Sequence, residues 1–392
     1  MASEWRKHRI KDVVSFVVDN RGKTPPTQDE GHILLEVNAV SATEKFPLYQ
    51  EVRKHVSQEV YGTRFRKGHP KKGDILVPTV GTLGAVSLMD RDDCCIAQNL
   101  IAIRCDETTC HSHFLYYVLC NPMTRKRLLN LNIGGVQPSI KVPHLMELEI
   151  ELPSIGEQKK IAELLSLLDD KILCNNRIND NLLQQAAALF AQYYEQASDL
   201  VPFTSVIQIL GGGTPKTGNS MFWNGGVPFF TPKDVGTPYT LTTEKTITED
   251  GLAHCNSRLY PVNTVFVTAR GTVGKVGLPG VPMAMNQSCY ALVGKDIDQL
   301  MVYFYTLRTV QALKHKASGA VFDAITTRDF ESETIRLIAD DAAAEFLSVA
   351  TPMFGQILGN SIENQRLAEL RDALLPRLMA GEIDVSGIDL SC

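Results

Sequence analysis

The sequence lacks any apolar run near the ~20 residues that a membrane-spanning helix needs. No apolar core follows the charges of the opening Met1-Ala2-Ser3-Glu4-Trp5-Arg6-Lys7. No membrane partner and no export signal are therefore expected. Paired cysteines are lacking too. The nine cysteines are scattered, none forms Cys-x-x-Cys, and His111 and His113 make no zinc pattern. Reduced thiols, no metal and a cytoplasmic location are the expectation. There is no Walker A string, no Gly-x-Gly-x-x-Gly, no His-Glu-x-x-His and no Gly-x-Ser-x-Gly. Asn121-Pro122 starts like an amino-methyltransferase motif, but Met123 and Thr124 break it, and a cap or turn accounts for the pair. No catalytic constellation emerges, and an enzyme with an unfamiliar site is the alternative. A large excess of one charge is also missing. The net charge of −5 gives no global argument for nucleic acid. Locally the balance differs, because between Glu51 and Lys72 seven lysines and arginines face only Glu51 and Glu59.

What the sequence contains, it contains twice. Asp74-Ile75-Leu76-Val77 and Gly81-Thr82-Leu83-Gly84 return as Thr264-Val265-Phe266-Val267 and Gly271-Thr272-Val273-Gly274, 190 positions on, as does Thr24-Pro25 in Thr214-Pro215. Gln98 matches Gln287 at 189, Tyr117 matches Tyr305 at 188, and Ile140 matches Ile325 at 185. One ordered series with a slowly shrinking offset indicates two copies of one unit. Two similar, non-identical surfaces suit a pseudo-symmetric partner, and duplex DNA is the expected one. With 44% hydrophobic and 21% charged residues, the 392-residue chain is long enough for two full domains.

Residues 1–152 and 198–340 read as mixed, strand-rich domains, with short apolar stretches punctuated by Gly, Pro, Asn and Asp. Short helices are expected at His113–Leu119 and its counterpart Met301–Leu307. Residues 153–197 form a first long helix, and 341–392 a second one with a tail. Ser154 and Glu157 make a capping box. Heptad spacing then carries Leu165, Leu168, Ile172, Asn175, Asn179 and Leu182 along one seam. The second seam holds Met353, Ile357, Asn360, Asn364 and Leu367. Pro352 suits a first helical turn and Pro376 should end or kink the helix, so its regular part is 352–375, ~36 Å long. The asparagines fall mid-seam in both copies. Reversing one helix on the other brings the two polar layers together and fixes their register. Parallel alignment would match them as well, and a solvated edge is the other reading. The expected fold is α+β: two similar strand-rich domains separated by two long helices in an antiparallel coiled coil, pseudo-two-fold symmetric.

Recognition chemistry sits on loops. In the Gly-Thr loops, glycine lets backbone N–H groups approach a phosphate, and Thr79, Thr82 and Thr272 are hydroxyl donors to such an oxygen. A ligand-free tight hairpin is an equal reading. Arg270 and Lys275 flank the second loop within reach of a phosphate or guanine edge. Gln98-Asn99 and Asn286-Gln287 carry amides suited to adenine, or to capping strand ends. Arg21, Lys23, Arg64, Arg66, Lys67, Lys71, Lys72 and Lys216 are candidate phosphate contacts, with a solvated charged face as the plain alternative. Arg125-Lys126-Arg127 and Lys314-His315-Lys316 follow the short helix of each copy, which favours a shared role.

Several strings together resemble the specificity subunits of type I restriction–modification systems. They are Gly212-Gly213-Thr214-Pro215 with Phe222-Trp223-Asn224-Gly225-Gly226, Arg270-Gly271-Thr272-Val273-Gly274, and Leu152-Pro153 with Glu157-Gln158. The most specific runs from Leu370-Arg371-Asp372 through Leu375-Pro376-Arg377 to Gly381-Glu382-Ile383. The resemblance covers nearly the whole chain. It implies two target-recognition domains, each reading half of a bipartite double-stranded DNA target, and helices that measure the unread gap. It further implies a non-catalytic chain that docks two methyltransferase subunits, with restriction/motor subunits as additional partners. The chain itself would bind no cofactor, and S-adenosylmethionine would sit on the methyltransferases. A two-lobed protein-binding scaffold and a fused methylase–nuclease system are the alternatives.

Overall fold

The computed structural model describes residues 5–22, 24–316 and 323–388. The chain forms two compact units, one of Met1–Ile172 with Arg366–Cys392 and one of Leu173–Gln365. In the first, β1 (Arg6–Arg9) pairs antiparallel with β9 (Glu149–Leu152). The central sheet orders β2 (Val14–Val18), β8 (Leu100–Cys105), β5 (Ile75–Pro78) and β6 (Ser87–Leu88), all antiparallel. A smaller sheet orders β4 (His55–Val56), β3 (His32–Leu35) and β7 (Cys94–Ile96), with β3 and β7 parallel. Its helices include α1 (Gln58–Arg64), α2 (Ser112–Cys120), α3 (Pro122–Asn130) and α4 (Val142–Met146).

Side chains alternate across the central strands and both faces are covered. Ile75, Val77, Ile101 and Ile103 join Phe114 and Tyr117 of α2, whereas Leu76, Leu100 and Ala102 join Leu35 and Ile96 of the small sheet. A strand buried on both faces reads as an unbroken apolar run, which is what Ile-Leu-Val and Leu-Ile-Ala-Ile are.

The second unit repeats the plan. β10 (Asp199–Pro202) pairs with β19 (Thr334–Leu337). The central order is β11 (Ile207–Gly211), β18 (Cys289–Gly294), β15 (Val265–Thr268), β16 (Val276–Pro279) and β13 (Tyr239–Thr240). The small sheet is β14 (Lys245–Ile247), β12 (Trp223–Phe230) and β17 (Ala284–Met285). Helices α6 (Phe203–Val206), α7 (Glu249–Ala253), α8 (Gln299–Lys316) and α9 (Thr327–Glu331) complete it. The duplication seen in short strings therefore extends to strand order and pairing sense, and β13 is the addition. Val265 and Val267 face α8, and Phe266 faces the other way, as Ile75, Val77 and Leu76 do in the first unit.

Two long helices, α5 (Ile155–Gln196) and α10 (Asp340–Met379), contribute to both units. Ser154 accepts from the Glu157 N–H at 3.4 Å and donates to its carboxylate at 3.0 Å, starting α5 where the capping box put it. Pairing is antiparallel, since rising numbers on one helix meet falling numbers on the other. In the second unit Asn175 donates to Asn364 at 2.9 Å, and Asn360 donates to Asn179 at 2.8 Å. Asn175, Asn179 and Asn360 are buried. A one-turn slip would set these amides against Ile357 or Leu182 and strand their hydrogen-bonding groups, which is how a polar layer sets register. In the first unit Asp169 is buried and accepts from Arg371 at 2.7 Å and from the Tyr117 hydroxyl at 2.5 Å.

The helices differ from expectation in two respects. α10 does not start at Pro352 or stop at Pro376 but runs through both. Each proline removes one helical hydrogen bond and crowds a carbonyl, at about 3 kcal/mol. Burial of Ala350, Phe354 and Ile357 around the exposed Pro352, and of Leu375 and Leu378 around Pro376, offsets that. Nor is the buried stripe a narrow heptad seam. Leu165 and Ile357 are buried, but Leu168, Ile172, Leu182, Met353 and Leu367 are only half-buried, and Asn364 is as well. Phe190 and Phe354, off the seam, are buried instead. Packing onto each unit's sheet and helices needs a wider apolar face than a two-helix seam.

Two outcomes are expected. Asp169→Leu leaves the half-buried Arg371 guanidinium with only the exposed Asp372 carboxylate and costs about 3 kcal/mol in urea unfolding, and adding Arg371→Leu recovers most of it. A loss below about 1 kcal/mol would show the pair to be solvated. His113 is pushed down to about 4 by burial first, then by Lys45 and His111. The unfolded histidine thus binds protons more readily than the folded one. Stability is complete above the unfolded value of 6.5 and falls as pH drops from there toward 4. The drop in Tm between pH 7 and 5 should be smaller in His113→Gln, and an identical drop in both would exclude this group as a cause.

Candidate nucleic-acid interface

The peptide groups at one end of each central sheet tie three chain segments side by side. After β5, the Thr79 N–H donates to the Asn99 carbonyl at 2.8 Å, and the Thr79 carbonyl accepts from the Ile140 N–H at 2.8 Å. Gly81 N–H donates to the Pro138 carbonyl at 3.0 Å. The second unit does the same after β15. The Ala269 N–H donates to the Ser288 carbonyl at 2.8 Å, and the Ala269 carbonyl accepts from the Ile325 N–H at 3.0 Å. The neighbours Gln98 and Gly81-Thr82 in one unit, and Gln287 and Gly271-Thr272 in the other, thus come to matching positions, and in the first unit Gln137 adjoins them.

The Gly-Thr loops are alike in conformation. Gly81 and Gly84 have φ of +90° and +78°, and Gly271 and Gly274 have +82° and +73°. A side chain at Gly84 would meet Arg125 at 3.0 Å, and one at Gly274 would meet Lys314 at 2.5 Å. Lys314 also donates to the Gly274 carbonyl at 2.7 Å. One residue of each basic cluster, Arg125 and Lys314, therefore lies against the loop of its own unit.

In the first unit a groove of about 560 Å³ brings Arg21, Arg64, Arg66, Lys67 and Gln98 together. An adjoining groove of about 420 Å³ is lined by Lys54, Gln98 and Asn99. Asn20, which sequence reasoning missed, holds the basic turn in place: its Oδ1 accepts from Lys67 N–H at 3.0 Å and its Nδ2 donates to the Gly68 carbonyl at 2.8 Å. Behind the turn, Tyr61 of α1 stacks between His32 and His69, with centroids 3.8 and 3.7 Å away. Burial pushes the His69 imidazole below its ordinary value, favouring its neutral form. An Asn after a strand and a Tyr with distant histidines carry no local sequence signal.

The remaining candidates fall differently. Arg21 forms an ion pair with Asp19 at 2.6 Å, so part of its charge is already balanced. Lys23 lies outside the described residues. Thr79 is a correction: it is buried and its hydroxyl donates to the Asn99 carbonyl at 3.2 Å, so it is part of the loop framework. Thr82 is exposed on its loop. Lys71 and Lys72 lie in the turn before β5, at the opposite end of that strand from Thr79, where the Asp74 and Asp92 carboxylates accept from their backbone N–H groups at 2.8 and 2.6 Å. Arg270, Lys275 and Lys216 are exposed. Thr272 donates to the Pro232 carbonyl at 3.1 Å. Asn286 accepts from Ser288 N–H at 3.0 Å in a local turn, and the Gln287 amide oxygen accepts from the Thr214 hydroxyl. That last contact joins two of the strings that recur between the copies, at offsets of 190 and 189.

Among the described residues no three His, Cys, Asp or Glu side chains converge as for a metal ion, and no helix is long and apolar enough to cross a membrane. Burial pushes the Cys94, Cys95 and Cys289 thiols up to about 12, away from thiolate chemistry.

Known proteins share these features. The family model for the type I restriction modification DNA specificity domain matches residues 2–184 and 199–348, one copy on each repeat. The HindI specificity subunit of Haemophilus influenzae is 23% identical, over 80% of this chain and 87% of its own length. The MjaIX specificity subunit of Methanocaldococcus jannaschii is 24% identical, over 70% of this chain and 69% of its own. In fold, the chain is similar to the crystal structure of a type I restriction–modification S subunit from M. genitalium, with a TM-score of 0.58, 16% identity and 96% of each chain covered. With the family model matching most of its length in two successive copies, the chain belongs to the type I restriction–modification DNA specificity family.

Proposed function

We propose that this chain is the non-catalytic DNA-reading subunit of a type I restriction–modification complex. Each unit reads one half of a bipartite duplex target, and the paired helices set the unread gap. The observation that carries this reading is the repeated row of loops, which gives each unit one sheet end bearing amides and exposed basic side chains. Such a surface serves phosphate positioning and base-edge readout together. The helices would also dock two methyltransferase subunits, and restriction/motor subunits would join that assembly. S-adenosylmethionine belongs, in this reading, to the methyltransferases. The modest net charge accords with partners that supply further phosphate contacts.

Methylation mapping of DNA from cells expressing the chain with its methyltransferase is the direct test. A bipartite motif with a fixed gap, lost when the chain is deleted, is the expected result. An unchanged methylome together with salt-independent DNA binding would favour a protein-binding scaffold. In the purified complex, Arg66→Ala with Lys67→Ala should weaken binding to all sequences alike and reduce the slope of log K against log salt by roughly 2. An unaltered slope would remove these side chains from the phosphate contacts.

A further inference from the structure

One exposed element beside the candidate interface is unaccounted for. Residues 132–139 form a closed loop whose end strands are joined by Ile133 N–H donating to the Ser139 carbonyl at 2.9 Å. The Asn132 Oδ1 accepts from both Gly134 N–H and Ser139 N–H at 2.9 Å, so one side chain clamps both arms. At Gly134 any Cβ would lie 1.9 Å from the Gln137 carbonyl oxygen, and only glycine allows so tight a return. The loop is thus built to hold its tip, Val136-Gln137, away from the body of the unit. Val136 is 106% exposed, so its side chain stands wholly in solvent.

The location indicates the partner. Pro138 and Ile140 are hydrogen-bonded to Gly81 and Thr79, so the tip stands in the row next to the Gly-Thr loop, with Gln98-Asn99 in the row beyond. In the second unit the row ends in Ile325, the repeat counterpart of Ile140, and Gly319 and its neighbours lie outside the described residues. A rigid, preformed tip with one apolar and one amide side chain matches what a base edge in a groove offers. The amide can pair with adenine, and the apolar group can pack on a thymine methyl.

We infer that Val136 and Gln137 are specificity-determining residues of the first unit, contacting base edges rather than phosphates. This rests on the DNA-reading function proposed above. Both side chains are exposed, so their removal does not threaten folding.

The test uses the purified complex with its methyltransferase, duplexes carrying the mapped target, and duplexes changed at single positions in either half. Val136→Ala and Gln137→Ala are each expected to reduce discrimination by about 10- to 100-fold at positions of one half-site only. The salt slope should not change, because no phosphate contact is lost. If wild-type complex discriminates and both variants discriminate equally well in both halves, the inference is overturned while the proposed function stands. A uniform loss across all sequences with a shallower salt slope would also overturn it, since the tip would then touch the backbone. If wild-type complex itself shows no sequence preference, the DNA-reading function fails and the inference with it.

Discussion

Backbone hydrogen bonding at one end of each central sheet is the constraint on which the candidate interface depends. Thr79 and Ala269 each use their N–H toward one neighbouring segment and their carbonyl toward another. A buried peptide group left without a partner is costly, so the three segments cannot separate independently. Most of that load is on peptide groups, with the Thr79 hydroxyl and the Asn132 amide adding to it. Such a framework lets reading residues vary without disturbing the fold, as expected where surface loops rest on a rigid scaffold. Gly84 and Gly274 reinforce it, since their positive φ disfavours any side chain and Arg125 and Lys314 lie against them.

The long helices solve a different problem, that of register. Apolar contacts between two helices tolerate sliding, since Leu against Ile differs little from Leu against Leu. The Asn175–Asn364 and Asn179–Asn360 pairs and the Tyr117–Asp169–Arg371 network do not tolerate it, because a slip leaves buried polar groups unsatisfied. The copies are not identical in this respect. Tyr305, the repeat counterpart of Tyr117, accepts from the Ile338 backbone N–H at 2.9 Å and reaches no helix carboxylate. Duplication supplied the same tyrosine twice, and each copy then used its hydroxyl locally.

Much was legible from residue order alone. Repeated strings identified two copies of one unit, unbroken apolar runs marked the central strands, and the capping box and heptads located α5. Mid-seam asparagines anticipated the polar layers. These features are local or periodic, so they survive in a one-dimensional reading. The Asn20 clamp, the Asn132 clamp, the Tyr61 stack and the buried state of Thr79 were not legible. All but the Asn132 clamp join residues far apart in the sequence, and no spacing rule links Asn20 to Lys67 or Thr79 to Asn99; the Asn132 clamp depends on a loop closure that residue order does not show.

By itself the sequence determined the duplication, the class of fold and the candidate residues for a nucleic-acid surface, because these follow from composition and periodicity. Tertiary structure alone decided which candidates share a surface. It gathered Arg21, Arg64, Arg66, Lys67 and Gln98 in one groove, placed Lys71 and Lys72 at the other end of β5, and carried α10 through two prolines. The physical reason is common to all three. Exposure, and the balance between packing gained and hydrogen bonds lost, depend on what folds against each residue, and only the assembled chain supplies that.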